Sequence, residues 1–523
     1  GAVVPRIKGI GHAPAAAPWG ALASLACVDA LIAGLVNGPA QALSSASMAD
    51  TVVHVEPQAA FEGAPATGAP APARLSKGAK KAANKAAKKE ARQAGKAVAA
   101  DSASETPAEA QAATMAISTD PPSGTRDFLP DEMRARNWLF GHMKEVARQF
   151  AFQEYDCPVL EHADLFKRKA GEEITAQMYN FTDKDGKEVT LRPEMTPSLA
   201  RLVLSRGNAL LLPIKWFSLP QCWRYEAIQR GRKREHYQWN MDIFGEPSIS
   251  GEVELLAALI TFFERVGLTA ADVGIRINSR KVLSSVLEAQ GISKDQFAAV
   301  CVIVDKLEKI GEEAVVAELE GKGVAPDVGR RIVRTLGIKS FGELEELLGD
   351  AAKEAIAELA QLFDLARSYG IGDWLVFDAS VVRGLAYYTG VVFEGFDREG
   401  KLRAIVGGGR YDRLMTLFGA PKPVPACGFG FGDCVIMELL REKNLLPQMT
   451  QQTDFVVVPF DNDMRGPALQ VTRALRQAGF SADLLLEPTK RVKSAFSYAD
   501  RVGGRYVAFV APDEWEKGLG GPQ

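Results

Sequence analysis

The sequence predicts an α+β chain, with a larger sheet domain carrying a helical insertion and a small α/β domain after it. Two observations predict it. Strand-like runs between residues 189 and 244 and between 391 and 406 flank an acidic, Ala/Leu/Glu-rich block of helical periodicity, Gln296–Leu365. Beyond a linker at Leu445–Thr453, strand and helix patterns alternate as Asp454–Phe460, Ala468–Gln477, Ala482–Glu487, Val492–Val502 and Tyr506–Ala511. That βαβαβ order belongs to a parallel-type sheet. At ~100–200 residues per domain, 523 residues hold several such units.

The N-terminal part follows a different rule. Residues 56–119 are rich in Ala, Pro and Gly and nearly free of large apolar side chains, so this extension (1–119) is expected to be largely disordered. Within it, Arg74–Ala97 holds nine Lys/Arg against Glu90, a local charge of +8 that leaves −11 on the rest of a chain whose total is −3. Lys77, Lys81, Lys85, Lys88, Lys89, Arg92 and Lys96 recur mostly at steps of three or four with Ala between them. The spacing predicts a basic helix with one cationic stripe, suited to a phosphate backbone or, equally, to a solvated tail. The total charge therefore excludes only a uniformly basic nucleic-acid binder.

Ala21–Val36, broken by Asp29 and Gly34, falls short of the ~18–20 apolar residues of a membrane helix. No membrane role is expected. Residues 1–47 carry Arg6 and Lys8 against a single acid, and two readings stand: a targeting segment, or sequence upstream of a start at Met48. The six cysteines form no CxxC pair and the five histidines no HExxH, which argues for a reducing compartment and against a Cys/His metal site.

From Pro121 the sequence organises. Glu132–Phe150 has a helical pattern, and Val189–Arg192, Ile214–Leu219, Gln238–Phe244, Val391–Phe396 and Arg403–Val406 read as strands. Polar residues interrupt these runs in four places: Leu191–Pro197 (LRPEMTP), Cys222–Asp242, Val382–Gly390 (VRGLAYYTG) and Gly407–Asp412 (GGGRYD). Arg224 and Arg383 suit a phosphate clamp. Arg230–Arg234 sets four cations in five residues beside Gly231, a flap for a polyphosphate or a nucleic-acid end. Glu194 and Asp242 suit an ammonium and a second donor, and Gly407–Gly409 allow close approach of a ligand. Singly, each has a plainer reading: a salt-bridged strand arginine, a glycine turn, a core tyrosine pair.

In this order, however, residues 121–448 resemble the histidyl-tRNA synthetases, a class II aminoacyl-tRNA synthetase family, in its plant organellar form. Arg224–Glu226 through Asp242 match class II motif 2, VRGLAYYTG and GGGRYD resemble the two histidine-specific motifs, and Gly124–Pro130 resembles the entry to the dimer-forming motif 1. The end of the chain is similar to the family's anticodon-binding domain. The resemblance implies a catalytic domain (120–448) of antiparallel sheet with flanking helices and a helical insertion at about 285–368, then an anticodon-binding-type domain at 453–523. It implies a homodimer that ligates L-histidine to tRNA(His), with ATP and Mg²⁺. Glu194 and Thr196 would take the histidine ammonium, with Gln238 nearby; Asp242 and Tyr388 would read the imidazole, and Tyr411 would line its pocket. Arg224 and Arg383 would hold the α-phosphate from opposite sides. Glu226 would sit at the adenine end, and His236 near the base.

Three positions depart from the family pattern. Ala386 stands where bacterial members commonly carry Asp. Val435 stands where motif 3 usually has the Arg that grips the γ-phosphate, with Arg232 or Arg234 as substitutes. The last domain is expected to stop one strand and one helix short. A catalytically silent, regulatory paralogue is the alternative function. The Lys/Ala stretch points to the cytoplasm, and the organellar form of the core to the chloroplast or mitochondrial matrix.

Overall fold

The computed structural model describes residues 118–167, 175–382, 387–449 and 452–519. The expected basic helix, the 1–47 segment, Arg383 and Ala386 lie outside the described residues. Two compact units part between residues 448 and 449.

The first unit opens with α1 (Pro130–Gln149), whose Pro sits at the helix start, where an N–H would be unpaired anyway. Asp131 and Glu132 favour its positive end, and Leu139, Met143, Val146 and Ala147 bury one stripe. β1 (Gln153–Glu154) and β2 (Leu160–His162) follow, then β3 (Tyr179–Thr182) and β4 (Glu188–Leu191). β2, β4 and β3 form a small antiparallel sheet in that order. After α2 (Thr196–Arg206) come β5 (Ile214–Ser218), β6 (Gln221–Trp223), β7 (Glu235–Phe244), α3 (Ser250–Arg265) and β8 (Val273–Ser279). Helices occupy the chain from α4 (Arg280–Ala289) to α5 (Lys353–Tyr369), and many of their apolar faces close a core of their own around Leu287, Val300, Val315 and Ile332. β9 (Leu375–Phe377), β10 (Val391–Asp397), β11 (Val406–Arg410), β12 (Ala426–Gly432) and α6 (Asp433–Glu442) complete the unit.

The main sheet runs β1-β5-β7-β12-β11-β10-β8-β9, with β6 also on β7. Its edge pairs β1–β5 and β8–β9 are parallel and the rest antiparallel. Strand alternation gives it two unlike faces. Trp239, Met241, Phe429, Phe431, Phe393 and Ile277 share one core with α3, a helix buried nearly all round, which α1 and α5 cover. The ring centroids of Trp239, Phe262 and Phe431 lie 5.2–5.9 Å apart, mostly edge to face. The opposite face is covered at one end by a second core, in which Ile214, Phe244, Val392 and Ala426 pack with Leu199, Ala200 and Val203 of α2; the rest of it is described below.

One strand differs from expectation. Arg403–Val406 is not the strand; β11 begins at Val406 and runs through all three glycines. Glycine weakens a strand by propensity, but tertiary packing requires it here. A Cβ on Gly408 would fall 2.5 Å from the Gly428 carbonyl oxygen and from the Phe393 ring.

Arg410 closes β11 by reaching the start of α3. Its Nε donates to Glu252 Oε1 at 2.6 Å and its Nη2 to Oε2 at 2.5 Å, with both side chains buried. Further bonds to the Glu246 and Ser248 carbonyls satisfy the guanidinium. Arg410→Met strands the Glu252 carboxylate. It is expected to cost roughly 3–5 kcal/mol in calorimetric unfolding of this unit, whereas a loss below about 1 kcal/mol would refute the pairing's weight.

The second unit is a three-stranded parallel sheet, β14-β13-β15, of β13 (Thr453–Pro459), β14 (Ala482–Leu484) and β15 (Gly504–Val510). α7 (Arg465–Gln477) packs with Phe455 and Val457, and α8 (Val492–Val502) with Val456 and Val458, so β13 is apolar on both sides. α9 (Pro512–Leu519) follows.

Candidate active site

The uncovered part of that face of the main sheet is the floor of a cleft of about 1110 Å³. Side chains 236, 238, 240 and 242 of β7 alternate onto it. Opposite them, β12 presents Gly428 to Asp242, Gly430 to Asn240 and Gly432 to Gln238. β11 adds Gly409 beside Gly428 and Gly407 beside Gly430. Glycines on two neighbouring strands thus make a trough, with polar side chains along one bank. A Cβ on Gly428 would overlap the Asp242 carboxylate and the Tyr411 hydroxyl, and one on Gly430 would overlap the Gln238 amide.

At one end of the trough lies a tyrosine-walled pocket. Tyr411 Oη donates to Asp242 Oδ1, and Asp242 Oδ2 has no hydrogen-bond partner among the described residues. Burial pushes the Asp242 carboxyl up to about 7, against the lowering effect of the Tyr411 hydroxyl. Tyr388 stands 6.4 Å from the Tyr411 ring, and Tyr387 4.9 Å from Tyr388, centroid to centroid. Tyr387 Oη donates to Glu194 Oε2 at 3.3 Å. Glu194 is buried just before α2, which begins at Thr196. A ring that donates an N–H to Asp242 and carries an ammonium near Glu194 and Thr196 matches this charge layout.

The other end is cationic. Arg224 follows β6; its Nε donates to the Pro193 carbonyl at 2.9 Å, while its two Nη groups bond nothing among the described residues. Glu226 pairs with Arg232. His236 lies beside them, its imidazole pushed down to about 3 by burial and by the positive charges of Arg224, Arg126 and Arg232. It is a neutral ring at ordinary pH.

The cleft lining therefore brings together Glu194, Thr196, Arg224, Glu226, Arg232, His236, Gln238, Tyr388 and Tyr411. Asp242, 1% exposed, lies just beneath the lining. Arg234 is not in it: its guanidinium stacks on Tyr225 at 4.0 Å and bonds the Ser123 and Glu226 carbonyls, fastening the loop. Tyr387, Asn240 and Arg403 belong to the lining and escaped the sequence reading. The YY pair signalled the first, and strand parity with Gln238 and Asp242 the second.

Behind the cleft, Arg126 ties three segments. Its Nε donates to Glu235 Oε1 at 2.6 Å and its Nη1 to Asp433 Oδ2 at 3.0 Å, and Asp433 Oδ1 accepts from Tyr237 N. The segment before α1, the start of β7 and the start of α6 are thereby locked together. Among the described residues, no group of three or more His, Cys, Asp or Glu is placed to hold a metal ion. No described helix is long and apolar enough to cross a membrane.

The description "Histidyl-tRNA synthetase" matches residues 124–432, spanning both motif 2 and the glycine trough. The chain belongs to the histidyl-tRNA synthetase family. The family's "Anticodon binding domain" matches residues 454–519. A chloroplastic/mitochondrial histidine–tRNA ligase of Arabidopsis thaliana is 54% identical over 402 residues, which are 77% of this chain and 82% of that protein. A histidine–tRNA ligase of Opitutus terrae is 41% identical over 76% of this chain and 91% of its own. Among solved structures, the histidyl-tRNA synthetase from Nostoc sp. PCC 7120 superposes with a TM-score of 0.61 at 26% identity, covering 74% of this chain and 90% of that one. A histidyl-tRNA synthetase uses histidine, ATP and tRNA.

Proposed function

We propose that the cleft joins L-histidine to ATP as histidyl-adenylate and passes the acyl group to the terminal ribose of tRNA(His). The observation that carries this is the buried Asp242–Tyr411 pair, with one carboxylate oxygen unpartnered inside a tyrosine-walled pocket. A site built to accept an imidazole N–H rejects side chains that leave that oxygen unpaired. Glu194 and Thr196 hold the ammonium with Gln238 nearby, Tyr388 and Tyr411 wall the ring, and the histidine carboxylate is left facing the cationic end.

A carboxylate oxygen of histidine attacks the α-phosphorus, the bond to the bridging oxygen of pyrophosphate breaks, and the adenylate forms. The protein supplies position and charge, not a nucleophile. Arg224 neutralises the α-phosphate from one side and Arg383 from the other, Glu226 and His236 flank the adenine, Arg232 faces the phosphates, and Arg234 fixes their loop. Mg²⁺ carried by the ATP phosphates would lower the charge of the departing pyrophosphate. A ribose hydroxyl of the tRNA then attacks the acyl carbon and AMP leaves. The chain acts as a homodimer through the segment around Gly124–Pro130.

The organellar name of the 54% identical relative supports the chloroplast or mitochondrial matrix over the cytoplasm. Two relatives, at 54% and 41% identity, are named ligases, which weighs against the silent-paralogue reading. The test is charging of a tRNA(His) transcript with labelled histidine. Acylation to a plateau supports the proposal, and none, from folded protein, refutes it. Deleting residues 1–119 is expected to spare adenylate formation but weaken tRNA affinity, with a flatter dependence of log K on log salt. An unchanged slope would return the Lys stripe to a solvated tail.

A further inference from the structure

The cleft's cations differ in what already occupies them. Arg232 is paired with Glu226. Arg276 faces Asp378 at 3.5 Å and lies over the Phe396 ring at 4.2 Å. Lys306 pairs with Glu318 at 2.8 Å, and Arg224 spends its Nε on a carbonyl. Arg403 also lines the cleft, yet among the described residues its guanidinium has neither an ion pair nor a hydrogen bond. Burial is the main penalty on its charge, repulsion from nearby Arg232 adds to it, and Glu226 offsets part of it. Two guanidinium groups held near one another in a half-buried cleft are unfavourable unless anions offset them, and Glu226 offsets only part of the penalty here.

The backbone is anchored two residues beyond Arg403, at Ile405. Ile405 N donates to the Gly395 carbonyl at 2.8 Å, and Gly432 N donates to the Ile405 carbonyl at 3.3 Å. That second bond fastens the segment to the start of α6. The arginine-rich loop reaches the same place, since a Cβ on Gly231 would fall 3.2 Å from Val435 Cγ2. Three segments thus converge at the cationic end of the trough: the 226–234 loop, the 403–405 segment and the first turn of α6. Val435 contributes no charge there.

We propose that Arg403, together with Arg232, binds the β- and γ-phosphates of ATP. This assigns a triphosphate-binding role to a residue outside all four sequence motifs. It rests on the proposed adenylate chemistry only for the identity of the anion. The Arg403–Arg232 juxtaposition selects a polyphosphate over a nucleoside monophosphate, because with the α-phosphate held at Arg224 only the further phosphates are left for these two cations.

The test compares full-length wild type, Arg403→Ala and Arg403→Lys. Calorimetric titration with ATP and with AMP in Mg²⁺ reads binding, and histidine-dependent pyrophosphate exchange reads KM for ATP. Wild type is expected to bind ATP more tightly than AMP. Arg403→Ala is expected to weaken ATP roughly 10- to 100-fold and raise its KM alike, with AMP unchanged within about twofold and Arg403→Lys recovering part of the loss. Undiminished ATP affinity in Arg403→Ala overturns the proposal. So does an equal loss of AMP, which would mark a general defect. So does a loss confined to tRNA charging, which would place Arg403 on the nucleic acid. Wild type that binds ATP but shows no histidine-dependent exchange fails the adenylate reading instead, and the ATP-against-AMP comparison still judges Arg403.

Discussion

Asp242→Asn is expected to lower histidine-dependent pyrophosphate exchange by roughly a thousandfold, mostly through kcat/KM for histidine. The asparagine keeps an acceptor for Tyr411 but sets an amide N–H where the ring N–H needs an acceptor. The same substitution is expected to stabilise the free protein, and the pH dependence fixes the sign. Burial raises the carboxyl from 3.8 to about 7, so between those values the native state holds a proton that the unfolded chain has lost. Stability therefore falls as pH rises through that window and stays reduced above it. Asp242→Asn should gain roughly 2–4 kcal/mol at about pH 8 and almost nothing near pH 4. A variant no more stable than wild type at the higher pH would contradict the buried carboxylate with one unpartnered oxygen. The companion expectation in the wild type is that kcat/KM for histidine rises with pH through about 7 as Asp242 ionises.

Arg224→Ala is expected to reduce kcat for adenylate formation by roughly 10²–10³-fold with little change in KM for histidine. Its two Nη groups have no hydrogen-bond partner among the described residues. The charge that builds on the α-phosphate oxygens during attack is the natural recipient of both. Arg383→Ala should behave alike, and a fold indistinguishable from wild type by circular dichroism separates this from collapse. Near-wild-type turnover in either variant would remove that arginine from the chemistry.

Much of this site was legible because its polar residues interrupt apolar strands. Glu194, Gln238 and Asp242 are out of place in a hydrophobic run unless something binds there, and period-two spacing puts Gln238 and Asp242 on one face. The terminal alternation of strands and helices was legible for the same reason, since each apolar run is short and bounded by turn residues. Glycine hid the rest. Gly407–Gly409 suggest a loop by propensity, and Gly428, Gly430 and Gly432 mark no strand. Yet close approach of Phe393, Asp242 and Gln238 makes β11 and β12 strands that only glycine fits. α3 lacks an amphipathic period because it is buried nearly all round. Arg126, Glu235 and Asp433, separated by 109 and 307 positions from the arginine, carry no local signal of their pairing. Arg232 and Arg234 were equivalent as letters; only the fold sends one into the cleft and the other onto Tyr225.

The central claim is that Asp242 and its tyrosines select histidine for activation at this cleft. Pyrophosphate exchange, run on the wild-type chain with each amino acid in turn, tests it most directly. Histidine alone should drive exchange, with all others at background. No exchange with histidine, or comparable exchange with another amino acid, would contradict the account.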